Sequence, residues 1–144
     1  MLKNIDKNTY YYKYRRQAYI FEGIGISGIA AAVLINELTG NRYKSVILIF
    51  AAVAMLFLVI GGASSRPHVL VKSFATLLAN EPTAQNAREF LYALEHSGTV
   101  HLVKSSRNIV NMAILSYERA SEHDEETAEK LREAVKKHVK NKII

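Results

Sequence analysis

Apolar residues are arranged in two ways along this chain. Between Ser45 and Ser65 they run on almost unbroken. The stretch SVILIFAAVAMLFLVIGGASS is 21 residues without a charge, and Ile47, Leu48, Ile49 and Phe50 are adjacent, so no polar face is left for water. At ~1.5 Å per residue a helix of that length crosses the ~30 Å hydrocarbon core of a bilayer. A buried core helix would show the same pattern, but it needs partners on all sides, and a chain this short has little to wrap around it. The 20 residues Gln17–Asn36 (QAYIFEGIGISGIAAAVLIN) predict a second span, interrupted by Glu22. Glu22 lies about one and a half turns in, close enough to an end to reach the headgroups. The connection Glu37–Tyr43 contains the turn signal Gly40-Asn41 and fits an antiparallel pair.

Beyond Arg66-Pro67 the apolar positions recur at helical spacing instead. His68–Asn80 sets Val71, Phe74, Ala75 and Leu78 on one side. A break follows at Asn80–Thr83, with Thr83 as N-cap, and then a stripe of Ala87, Phe90, Leu91 and Leu94 that ends at Gly98, a residue suited to a left-handed C-cap. Thr99–Ala120 predicts a third helix on Val103, Val110, Ile114 and Tyr117. Asp124–Asn141 predicts a fourth on Ala128, Leu131, Val135 and Val139, acidic at its start and basic at its end (Lys136, Lys137, Lys140, Lys142), which complements the helix dipole. Nothing between Ala120 and Asp124 forces the last two apart. The expected fold is all-α, with a two-helix transmembrane hairpin followed by a small cytosolic bundle of three to four helices. The corresponding regions are a basic, Tyr-rich arm (1–16), the hairpin (17–65, spans 17–36 and 45–65) and the helical module (66–144).

Charge adds an orientation. Of 32 charged residues only Glu22, Glu37, Arg42 and Lys44 lie between Gln17 and Ser65. Residues 1–16 hold Lys3, Lys7, Lys13, Arg15 and Arg16 against Asp6, whereas the connecting loop region holds only Arg42 and Lys44 against Glu37. Positive residues collect on the cytoplasmic side, so both termini are expected inside and the loop outside, in a multi-pass protein of the cell (inner) membrane. Tyr10, Tyr11, Tyr12, Tyr14 and Tyr19 are expected at the headgroup layer, with Tyr43 at the opposite interface. A cleaved signal peptide suits the first segment less well, because its polar lead is long and a second span follows at once. The chain has no cysteine, which excludes disulfides, thiolate catalysis and Cys-type metal sites.

Gly23-Ile24-Gly25-Ile26-Ser27-Gly28 matches the dinucleotide fingerprint GxGxxG. No acidic residue for the ribose stands between Tyr43 and Ala52, and the supposed second strand runs on far past strand length. Membrane packing accounts for the glycines better. Gly25, Gly28 and Ala32 form a strip of small residues that Asn36 continues, and such strips let helix backbones approach closely. The expected partners on the second helix are Ala51, Ala52 and Ala54, although another copy or another membrane protein suits the strip equally. Glu22 is a candidate because it is ionisable within a span. The five histidines are scattered, no nucleophile motif appears, and no catalytic, cofactor or metal residue is assigned.

These features point to a non-enzymatic accessory, regulatory or assembly subunit. Its expected partners are the lipid bilayer and either a membrane protein or further copies of itself, not nucleic acid. Two alternatives stay open: a self-protection protein against a membrane-active toxin or bacteriocin, and an oligomeric, holin-like pore.

Overall fold

The computed structural model describes residues 9–40 and 42–141. Residues 1–8 of the basic arm, Asn41 of the turn and Lys142 of the basic run lie outside the described residues. The described chain contains six helices and two short strands: α1 (Tyr10–Leu38), α2 (Lys44–Ser64), α3 (Pro67–Asn80), α4 (Ala84–His96), β1 (Val100–Leu102), α5 (Lys104–Glu118), α6 (Glu125–His138) and β2 (Val139–Asn141). Helices α1 and α2, of 29 and 21 residues, are long and apolar enough to cross a membrane. The described residues divide into two compact units, Tyr12–Ser65 and Thr9–Tyr11 with Arg66 onward.

In the first unit α1 and α2 form an antiparallel pair, and only 17% and 11% of their most apolar stretches are buried. Large apolar side chains therefore face outward along both helices, among them Ile24, Leu34, Ile49, Leu56 and Ile60. Helix α1 begins at Tyr10, so residues 10–16 are its first turns rather than a separate arm.

The second unit is organised around α3, which packs on α4 and α5, while α6 closes against α4 and α5. Leu70, Val71, Phe74 and Leu78 of α3 meet Phe90 and Leu94 of α4, Val110 and Tyr117 of α5, and Leu131 of α6 in a shared buried core. Pro67 starts α3, where its missing N–H costs nothing. Thr83 caps α4 by accepting from the Asn86 N–H at 3.2 Å, and Gly98 takes φ +66° just after α4. The Tyr11 ring is fully buried in this unit, edge-on to Tyr92 with centroids 5.8 Å apart, and its hydroxyl donates to the His96 carbonyl at 3.1 Å. Tyr11 thus has protein around it, not the headgroup environment expected of it.

Two further differences from the expected elements have a common cause. The chain from Thr99 does not enter a helix directly, because Val100–Leu102 form a strand that pairs in parallel with Val139–Asn141, Val100 opposite Val139. Val100 and Leu102 face the core and His101 faces out. The same pairing ends α6 at His138, where Val139 turns extended (ψ 118°). Helices α5 and α6 are separate: Asp124 caps α6, accepting from the Thr127 N–H at 3.0 Å, and its own N–H donates to the Tyr117 hydroxyl at 3.1 Å.

Candidate helix-packing interface

Buried and half-buried positions on α1 recur at alternating steps of four and three: Ala18, Glu22, Gly25, Ile29, Ala32 and Asn36. Helix α2 carries the complementary series Ile47, Ala51, Ala54, Leu58, Gly61 and Ser65, the last being its C-cap. A four–three repeat winds one seam along an α-helix, so two such helices bury these rows against each other along their length.

The seam is tight because three positions lack a side chain. A Cβ on Gly25 would lie 2.6 Å from the Leu58 nitrogen and 2.8 Å from the Ala54 oxygen. One on Gly28 would lie 2.7 Å from the Ala54 Cβ, and one on Gly61 2.7 Å from both the Ala18 oxygen and the Glu22 nitrogen. Such approach is how helices associate in a medium as apolar as their own side chains. Ala32 and Ala54 are each 3% exposed, which places them on the same line.

The two ends of the seam are polar. Where the C-terminal end of α2 meets α1, the Ser65 Oγ lies 3.0 Å from Glu22 Oε1 and 3.2 Å from the Gly62 carbonyl, sharing its single proton. Glu22 therefore sits at the seam beside the last turn of α2 rather than on the outer face. At the loop end a space of about 260 Å³ lies between the helices, lined by Ala32, Asn36, Lys44, Ile47 and Ala51 among others. Asn36 is half-buried there.

Gly25, Gly28, Ala32 and Ala54 are thus brought together, Ala51 and Asn36 border the opening, and Ala52 points outward, away from the role expected of it. Sequence reasoning missed Gly61, Ala18 and Leu58. The unbroken four–three repeat on both helices is the signal that finds them. Gly23–Gly28 lies wholly inside α1, with about three turns of the same helix before it, so the fingerprint's strand-to-helix turn is not formed there. Among the described residues no three His, Asp or Glu side chains are grouped to hold a metal. No known protein family matches this chain, and no curated protein or solved structure is significantly similar to it.

Proposed function

We propose that this chain is a small integral membrane protein whose α1–α2 hairpin anchors a helical cytosolic module, and that it works without catalysis of its own, as an accessory, regulatory or assembly subunit. One observation carries this reading: the hairpin's outer faces are apolar while its seam holds the small and polar residues. In water those faces would expose far more contiguous apolar surface than a soluble monomer tolerates. In a bilayer they are solvated, and Glu22, Ser65 and Asn36 are turned toward protein or toward an end of the hairpin. The charges of residues 1–16 favour both termini on the cytoplasmic side.

The small-residue strip is used inside the hairpin, since Gly25 and Gly28 already meet α2. That favours an anchor over a ring of copies built on the same strip. The test is in two steps on the tagged full chain in its native membrane. Alkaline carbonate should leave the protein in the pellet, and crosslinking followed by affinity recovery should yield a discrete adduct with a membrane protein. A full-length chain that purifies as a monodisperse particle without detergent refutes the anchor, and recovery of only uncrosslinked monomer refutes the subunit role.

A further inference from the structure

Away from the hairpin, the second unit has a cleft of about 590 Å³ on the flank where α3 meets α5, lined by His68, Val69, Lys72, Ser73, Thr76 and Ser106. Helix periodicity assembles its polar groups: His68, Lys72 and Thr76 recur every four residues along α3, with Ser73 beside them. Ser106 comes from the first turn of α5 and is 8% exposed, yet among the described residues its hydroxyl has no hydrogen-bond partner. Ser106 is otherwise packed, but its hydroxyl oxygen is not sealed from solvent, so it is open to the cleft and available to donate to a ligand atom there. The Thr76 hydroxyl, by contrast, is already tied to the Lys72 carbonyl at 2.9 Å. Lys72 makes no ion pair among the described residues, and no acidic residue lines the cleft. Helix α5 also starts without a side-chain cap, at Val103, so its first amides add partial positive charge on this side.

We propose that this cleft binds a phosphate group, with the Lys72 ammonium neutralising its charge and the Ser73 and Ser106 hydroxyls donating to its oxygens. A cation is disfavoured by Lys72, and an anion gains a charge-assisted hydrogen bond from that ammonium that an uncharged ligand does not. A soluble phosphate ester and a phospholipid headgroup offer the same chemistry, and α3 starts only three positions after α2 ends.

The full chain in non-ionic micelles is titrated with inorganic phosphate and, separately, in micelles doped with phosphatidylglycerol or with diacylglycerol, while the amide resonances of Ser73 and Ser106 are followed. Saturable shifts are expected, and Ser106→Ala and Lys72→Gln should each weaken binding about tenfold, the scale of one charge-assisted hydrogen bond. Saturation by phosphate assigns a soluble ester, and response to phosphatidylglycerol alone assigns the headgroup; either supports the site. Absence of saturable shifts with both, equal shifts from diacylglycerol, or unchanged affinity in both variants overturns it. Lys72 is exposed, so its variant stands as a test even where Ser106→Ala perturbs folding.

Discussion

Tyr11 shows how much one side chain decides. It lies between charged and polar residues in the sequence, yet it is fully buried against Phe74, Tyr92 and His96, and the neighbouring Tyr10 N–H donates to Glu89 Oε2 at 3.0 Å. Glu89 is only 9% exposed, and an amide in the first turn of a helix is a fitting partner for a buried carboxylate. Tyr11→Phe keeps the ring and loses one hydrogen bond, so it should cost about 1 kcal/mol. Tyr11→Ala empties a core position and should cost about 3–5 kcal/mol. Thermal unfolding of the full chain in detergent measures both, and equal effects from the two variants would contradict the packing role. Gly61 is the corresponding residue in the hairpin. Any side chain there meets the α1 backbone, which cannot retreat as a flexible side-chain tip does. Gly61→Val should therefore push the helices apart and lower the hairpin's unfolding temperature, whereas Gly23→Val, with open space around it, should leave that temperature nearly unchanged.

At the level of elements, the seam makes a geometric prediction that a cysteine-free chain lends itself to. A Cβ at residue 28 falls 2.7 Å from that of Ala54, inside the usual disulfide spacing of ~3.5–4.5 Å by about 1 Å, which a small separation of the helices supplies. The double variant Gly28→Cys/Ala54→Cys should crosslink within one chain on mild oxidation, and Gly28→Cys/Ala52→Cys should not, because Ala52 faces outward. Helix α6 makes another. Hydrogen bonds from the Thr127 hydroxyl and then from its N–H hold the Asp124 carboxyl below its usual range. A group whose pKa is lowered on folding contributes stability above its unfolded value and loses it as pH falls through the folded one. Amide exchange at Thr127 should accelerate as pH drops below about 4 relative to its intrinsic rate. Asp124→Ala should show that loss already at neutral pH, with little further change on acidification.

The same elements show what the sequence reveals. Helices α3 and α4 were legible because an apolar stripe coincides with a punctuating residue at each boundary: Pro67, Thr83 and Gly98. The two long apolar helices were legible from length alone. The β1–β2 pair was not, because three residues give almost no period and the partners Val100 and Val139 are far apart in the chain. The alternation Val100-His101-Leu102 was visible, but it fits equally well at the start of the helix read there. Tyr11 was illegible for a different reason: its burial depends on the grooves of α3 and α4, which no local pattern describes. In the hairpin, Gly25 and Ala32 stood out, but attention to the glycine motif hid the longer four–three repeat that includes Ala18 and Gly61.

For the molecule as a whole, the proposed anchor implies a thickness and a direction. In the first unit Arg15 donates to the Tyr19 hydroxyl at 2.7 Å with its guanidinium 5.5 Å from that ring, and Arg42 lies 5.9 Å from the Tyr43 ring. Between these two Arg–Tyr pairs, Tyr19–Leu38 is 20 residues of helix, about 30 Å long, which matches a bilayer core with an amphipathic ring and a cation at each face. The two faces are otherwise unequal. One side carries Lys3, Lys7, Lys13, Arg15 and Arg16, the other Arg42 and Lys44. Arg66 and Lys72, close behind α2, join the N-terminal charges on the same side in the proposed orientation, so the flanking Lys and Arg number seven on that side against two at the loop. Reporter fusions after Gly40 and at Ile144 should place the loop outside and the C-terminus inside. Replacing Lys3, Lys7 and Lys13 by glutamine while adding three lysines beside Gly40 should give a mixed population, because four flanking positive residues (Arg15, Arg16, Arg66 and Lys72) then stand against five at the loop. If the altered chain keeps the wild-type orientation in full, orientation is set by the module that follows the hairpin rather than by these flanking charges.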